Sequence, residues 1–143
     1  MNSVIGKINI IFGLSTRQKK LLIMTFFVSI YTYLLMKFFK KYALFQIKGI
    51  EGKARINDNL IIDDICSSIR MISKYVPYEN VCRHQAYQAK LICTYYKIAY
   101  QIFVGFKRDE AGNITGHAWT IAQGKIITGF CNPEEYVIMS VYS

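Results

Sequence analysis

The sequence predicts an α+β fold in which helices come first and an antiparallel sheet follows. Between residues 16 and 96, apolar side chains recur at helical spacing. From Ile98 onward, branched and aromatic residues gather in short runs split by turn chemistry, first Asp109 with Gly112-Asn113 and then Gln123-Gly124. Helices followed by a strand meander is the α+β order. The composition, 52% apolar with eleven Tyr and nine Phe, excludes disorder and low complexity. A chain of 143 residues can bury one modest core and no second recognition domain.

Residues 1–14 are apolar, carry Gly6 and Gly13, and show no clear period. Ser15-Thr16-Arg17-Gln18 reads as a capping box, which predicts a helix from Thr16 to about Leu44. Its centre, Leu21 to Met36, is uncharged over sixteen residues. At about 1.5 Å per residue this is roughly 24 Å, short of a hydrocarbon core of about 30 Å. Thr25, Ser29 and Thr32 form a small-polar stripe that lets another helix approach, and Lys19, Lys20, Lys37, Lys40 and Lys41 flank the apolar centre. Two seats suit such a helix: a membrane surface, or the body of the domain or a partner. Full spanning is the less favoured case.

Gly49 and Gly52 make residues 48–57 a linker. Asp58 or Asn59 then caps a second helix with Ile61, Ile65, Ile69, Ile72 and Val76 as its apolar stripe, ended by Pro77. Asn80 is the expected cap of a third, from about Val81 to Tyr96, with Ala86, Ala89, Leu91, Cys93 and Tyr96 inward. Strands follow at 98–106, 116–122, 125–128 and 136–142.

Charge divides the chain. Residues 1–53 hold nine Lys and Arg against Glu51 alone, or +8, and residues 54–143 hold nine against eight acids, or +1. Residues 1–53 are therefore read as a basic hydrophobic N-terminal region and 54–143 as the core. Because the lysines alternate with Phe, Leu and Tyr, an anionic membrane surface, reached through residues 16–44, fits better than nucleic acid. Four cysteines with no CxxC pair and no secretory cleavage site fit reduced thiols in a cytoplasmic protein.

Cys82 and His117 are the candidate catalytic residues. A helix start lends Cys82 the positive end of the backbone dipole, which favours the thiolate, although most free cysteines serve only as small core hydrophobes. Cys66 and Cys93 are assigned to that packing role. His117, in Gly116-His117-Ala118-Trp119-Thr120, can exchange protons with a thiol, or else be a hydrogen-bonded strand histidine. Trp119 and Ile121 share its strand face, so Trp119 is expected to wall the imidazole, and Gly116 to make room for it. His84 lies about 200° around the helix from Cys82 and is expected at the surface or against a partner. Zinc held by Cys82, His84, His117 and Cys131 is chemically conceivable, but their spacing matches no structural zinc pattern, and neither metal nor cofactor is expected.

The run Asn80-Val81-Cys82-Arg83-His84-Gln85-Ala86, then Gln101-Ile102-Phe103-Val104-Gly105-Phe106, then Gly116-His117-Ala118-Trp119 and Gly124, resembles the transglutaminase-like cysteine peptidases of lasso peptide biosynthesis. The resemblance covers about Ile61 to Gly129 and implies a transglutaminase/papain-like core in residues 54–143. It carries Cys82 over as nucleophile and His117 as general base. It implies a ribosomal precursor peptide as substrate, cut between leader and core, with a leader-peptide-binding protein and a lasso cyclase as partners. Two departures stand out. The acid often found about twelve positions after the His is Gly129 here, with Asn132 a weak substitute whose plainer role is turn chemistry before Pro133. No winged-helix leader-binding module is evident, which suits the catalytic half of a split system. A non-catalytic peptide-binding adaptor and an acyltransferase using the same thioester remain open alternatives.

Overall fold

A computed structural model describes residues 13–39 and 58–143. The expected linker over 48–57, the end of the first helix beyond Phe39 and residues 1–12 lie outside the described residues. Three helices precede four strands: α1 (Thr16–Phe39), α2 (Asp58–Tyr75), α3 (Cys82–Tyr96), β1 (Gln101–Arg108), β2 (Ile114–Ala122), β3 (Lys125–Thr128) and β4 (Val137–Tyr142). The capping box forms as read: Gln18 N donates to Ser15 Oγ at 3.3 Å, and Ser15 N donates to Gln18 Oε1 at 3.0 Å.

All strand pairs are antiparallel and the sheet order is β3-β2-β1-β4. The order follows from the turns. Gln123 (φ 48) and Gly124 (φ 76) both take the left-handed region, which closes β2 onto β3 as a two-residue hairpin. The strands begin within three residues of where the sequence puts them.

The core lies between α3 and one face of the sheet, with α2 closing the β3 side. Ile65, Ile69, Ala86, Ala89, Cys93, Ile102, Ala118 and Ile127 meet there, each at most 4% exposed. The apolar stripe of α2 shifts slightly from the expected one: Ile62 is buried at 1%, while Ile72 and Val76 are only half-buried. Ile92 replaces the half-buried Leu91 on the inner side of α3. Each fully buried aliphatic side chain contributes about 1.5–3 kcal/mol.

α1 packs across α2 and α3 through its small-polar stripe. Arg17 and Gln18 anchor its start on Asp64, at 2.6 Å and 2.8 Å, and Thr25 Oγ1 lies 3.0 Å from Ser68 Oγ. By length and composition this helix is also apolar enough to cross a membrane.

Candidate active site

Cys82 is the first residue of α3. The N-cap position belongs to Val81, in extended backbone (φ −82, ψ 179), with no side-chain hydrogen bond. This corrects the expectation that Asn80 caps the helix: the Asn80 side-chain oxygen accepts from Gln88 Nε2 at 2.9 Å instead. The first helical bond runs from Gln85 N to Val81 O at 3.1 Å, so the amides of Cys82 and Arg83 have no acceptor in a preceding turn. An uncapped helix start therefore presents its N–H groups, and the positive end of the dipole, at the sulfur.

His117 sits in β2, opposite Gly105 of β1. Its Nε2 lies 3.0 Å from the backbone oxygen of Gly129. A carbonyl only accepts, so Nε2 carries the hydrogen, and in the neutral ring Nδ1 is the basic nitrogen. The imidazole is walled on two sides: Trp119 stacks at 6.2 Å between ring centroids, as expected, and Tyr136 stacks at 5.4 Å. Tyr136 went unrecognised in the sequence because its approach depends on β4 pairing with β1 rather than with β3.

Gly129 is buried with φ +64. A Cβ there would run into the Ala118 carbonyl and come within 2.9 Å of Trp119 Cα. The position where the peptidase resemblance leads one to look for an acid thus has no room for any side chain, and it gives the imidazole a main-chain oxygen in place of a carboxylate. Gly116 has open space around it, so its expected role in close approach is not observed; Gly105, whose Cβ would meet Val137 O at 2.7 Å, has that role.

Cys82 and His117 line one cavity of about 320 Å³, together with Arg70 and Ser73 of α2, Gln85 of α3, and Phe130 after β3. The Arg70 guanidinium lies over the Phe130 ring at 4.8 Å. Neither Arg70 nor Phe130 stood out in the sequence. The available signal was the i, i+3 spacing of Arg70 and Ser73 beside the buried Ile69. The Gln85 side chain donates to Asn80 O at 2.9 Å, which ties the loop before Cys82 to the helix it opens.

Burial raises the pKa of Cys66, Cys93 and Cys131. Cys93 is fully buried and pushed up to about 12, and at Cys131 the rise by burial is aided by Glu135. His84 is not at the surface as expected. It is 2% exposed, its Nδ1 has no hydrogen-bond partner, and burial, helped by Arg83, lowers its pKa. The reason is that α3 is covered nearly all round, by α1 and α2 as well as by the sheet, so pointing away from Cys82 still means pointing inward. Asn132 accepts from Glu134 N at 3.3 Å as the cap of the 3-10 turn Pro133–Glu135, which is the turn role, and Glu135 pairs with Lys107 at 3.0 Å. Among the described residues, no three His, Cys, Asp or Glu side chains are grouped to hold a metal ion.

Three helices followed by an antiparallel sheet, with a helix-opening cysteine and a strand histidine lining one cleft, make this a transglutaminase-like domain. The model of the transglutaminase-like superfamily matches residues 46–141, and the chain belongs to that superfamily. No curated protein and no solved structure matches the chain.

Proposed function

We propose that the chain is a cysteine endopeptidase that removes the leader from a ribosomally synthesised lasso peptide precursor. The observation that supports this most is the shared cleft of Cys82 and His117, with the imidazole oriented by Gly129 O so that Nδ1 is the base. In this reading Nδ1 takes the Cys82 proton and Sγ attacks the carbonyl carbon at the leader–core junction. The uncapped amides of the α3 start hold the oxyanion. The imidazolium protonates the departing core amine, leaving the leader as a thioester on Cys82, and water, activated by the same imidazole, releases it as a carboxylate. The chain works in the cytoplasm beside a separate leader-binding protein, which supplies the grip on the leader, and a cyclase that takes the freed amine.

With precursor and leader-binding protein present, Cys82→Ala is expected to abolish cleavage while leaving the melting temperature near that of the wild type. Cleavage by Cys82→Ala at the wild-type rate refutes the assignment. One observation favours a second reading, a non-catalytic peptide-binding adaptor: His117 is held by a main-chain oxygen instead of a carboxylate. Iodoacetamide separates the two. A peptidase alkylates at Cys82 well before Cys66, Cys131 and Cys93, whereas an adaptor shows no such lead for Cys82. Acyl transfer to an amine shares the thioester, and product masses distinguish it from hydrolysis.

A further inference from the structure

α1 is built inside out. Beyond Leu21, which joins the core at 2% exposed, its inward stripe is small and polar, with Thr25, Ser29 and Thr32 all fully buried, while its outward face carries Ile23, Phe26, Phe27, Tyr31, Leu34 and Phe38, each between 41% and 70% exposed. The buried hydroxyls are satisfied locally: Thr25 donates to Leu21 O at 2.8 Å, Ser29 to Phe26 O at 2.8 Å, and Thr32 to Val28 O at 2.7 Å. Water therefore meets the apolar side of this helix, the reverse of a helix shaped for a soluble surface. The stripe is bounded only by cations, Lys19 and Lys20 before it and Lys37 after it, and α1 contains no acid.

We propose that α1 docks in the plane of an anionic lipid surface, with its outward face in the headgroup layer and the catalytic cleft turned to water. What α1 carries along its length argues against spanning. Its inward side is bonded from Arg17 and Gln18, on Asp64, through Ser29, on Tyr78 OH at 2.5 Å, to Tyr33, whose ring lies 4.9 Å from that of Tyr78. A bilayer that took α1 across would take in the charged α2 as well, with Asp63, Asp64, Arg70 and Lys74. An in-plane seat buries the aromatic face alone and sets the lysines against headgroups. Charge decides between lipid and a second copy of the chain, since self-pairing through this face brings lysines to lysines, whereas anionic headgroups complement them. No α1 residue lines the cleft of Cys82 and His117, so docking leaves it open.

The test is co-sedimentation of the full chain with vesicles of phosphatidylcholine mixed with phosphatidylglycerol, and of phosphatidylcholine alone. The chain is expected in the pellet with the anionic vesicles, released by raised salt or an alkaline carbonate wash. Phe27→Asp with Leu34→Asp, both at exposed positions, is expected to reduce the bound-to-free ratio about tenfold or more, and Lys19→Glu with Lys20→Glu to remove the preference for anionic lipid. Circular dichroism checks that the variants stay folded. Three results overturn the proposal: wild type left in the supernatant with both vesicles, retention through the carbonate wash, which means spanning, or a lipid-free dimer at sedimentation equilibrium that Phe27→Asp converts to monomer, which makes a second copy the occupant.

Discussion

α3 and α1 are neighbours that treat burial in opposite ways. α3 is surrounded: His84, Ala86, Tyr87, Gln88, Ala89, Lys90, Ile92 and Cys93 are all buried, and only its first turn, with Cys82, opens on a cleft. α1 is held along one narrow stripe and shows its largest side chains to the outside. An enclosed helix holds Cys82 at the one turn that opens on the cleft, while a helix packed on one side leaves a face free for another surface. The proposed chemistry and the proposed attachment thus fall on different helices of one small domain.

Substitutions at the two helices should separate these roles. The largest effect belongs to the cleft: Cys82→Ala or His117→Ala is expected to lower the cleavage rate by about a thousandfold or more with little change in thermal stability. Next comes packing. Ile92→Ala in α3 should cost about 2–5 kcal/mol in urea unfolding, whereas Phe27→Ala in α1, at 64% exposure, should stay within about 0.5 kcal/mol in lipid-free buffer. Equal costs would remove the contrast between enclosed and one-sided helices. Gly129→Ala should cost about 1–2 kcal/mol for the left-handed backbone alone, with more for the collision at Ala118, and should slow cleavage beyond what the loss of folded protein explains.

The smallest effect is on pH dependence. Burial lowers the His84 pKa below its usual 6.5, so the unfolded chain binds this proton more readily than the folded one. Stability should therefore fall as pH drops below about 6.5, and His84→Gln should flatten that slope in urea unfolding curves measured between neutral and mildly acidic pH. A variant with the wild-type slope would mean that His84 is solvated after all.

The elements legible in the sequence were those written by local chemistry. The capping box of α1 and the Gln123-Gly124 hairpin are set by residues adjacent in the chain, and each forms where its pattern lies. Less was legible where distant segments meet. His84 is buried because α1 and α2 cover the far side of α3, which spacing within α3 alone does not reveal. Gly129 reads as a missing acid along the chain, yet its carbonyl touches His117 because β3 ends beside β2. Asn80 has the right side chain for a cap, but a contact with Gln88, two turns further on, takes it instead.

A Cys82 that acts as nucleophile forms a bond to the peptide it cuts. Acid-quenched mixtures of the chain, the proposed leader-binding protein and a precursor, sampled before turnover is complete, can be read by intact-protein mass spectrometry and then by peptide mapping. An added mass equal to the leader acyl group is expected, located on Cys82 and absent from Cys82→Ala. Accumulating cleaved product with that adduct on another residue, or an adduct that persists in Cys82→Ala, would contradict it.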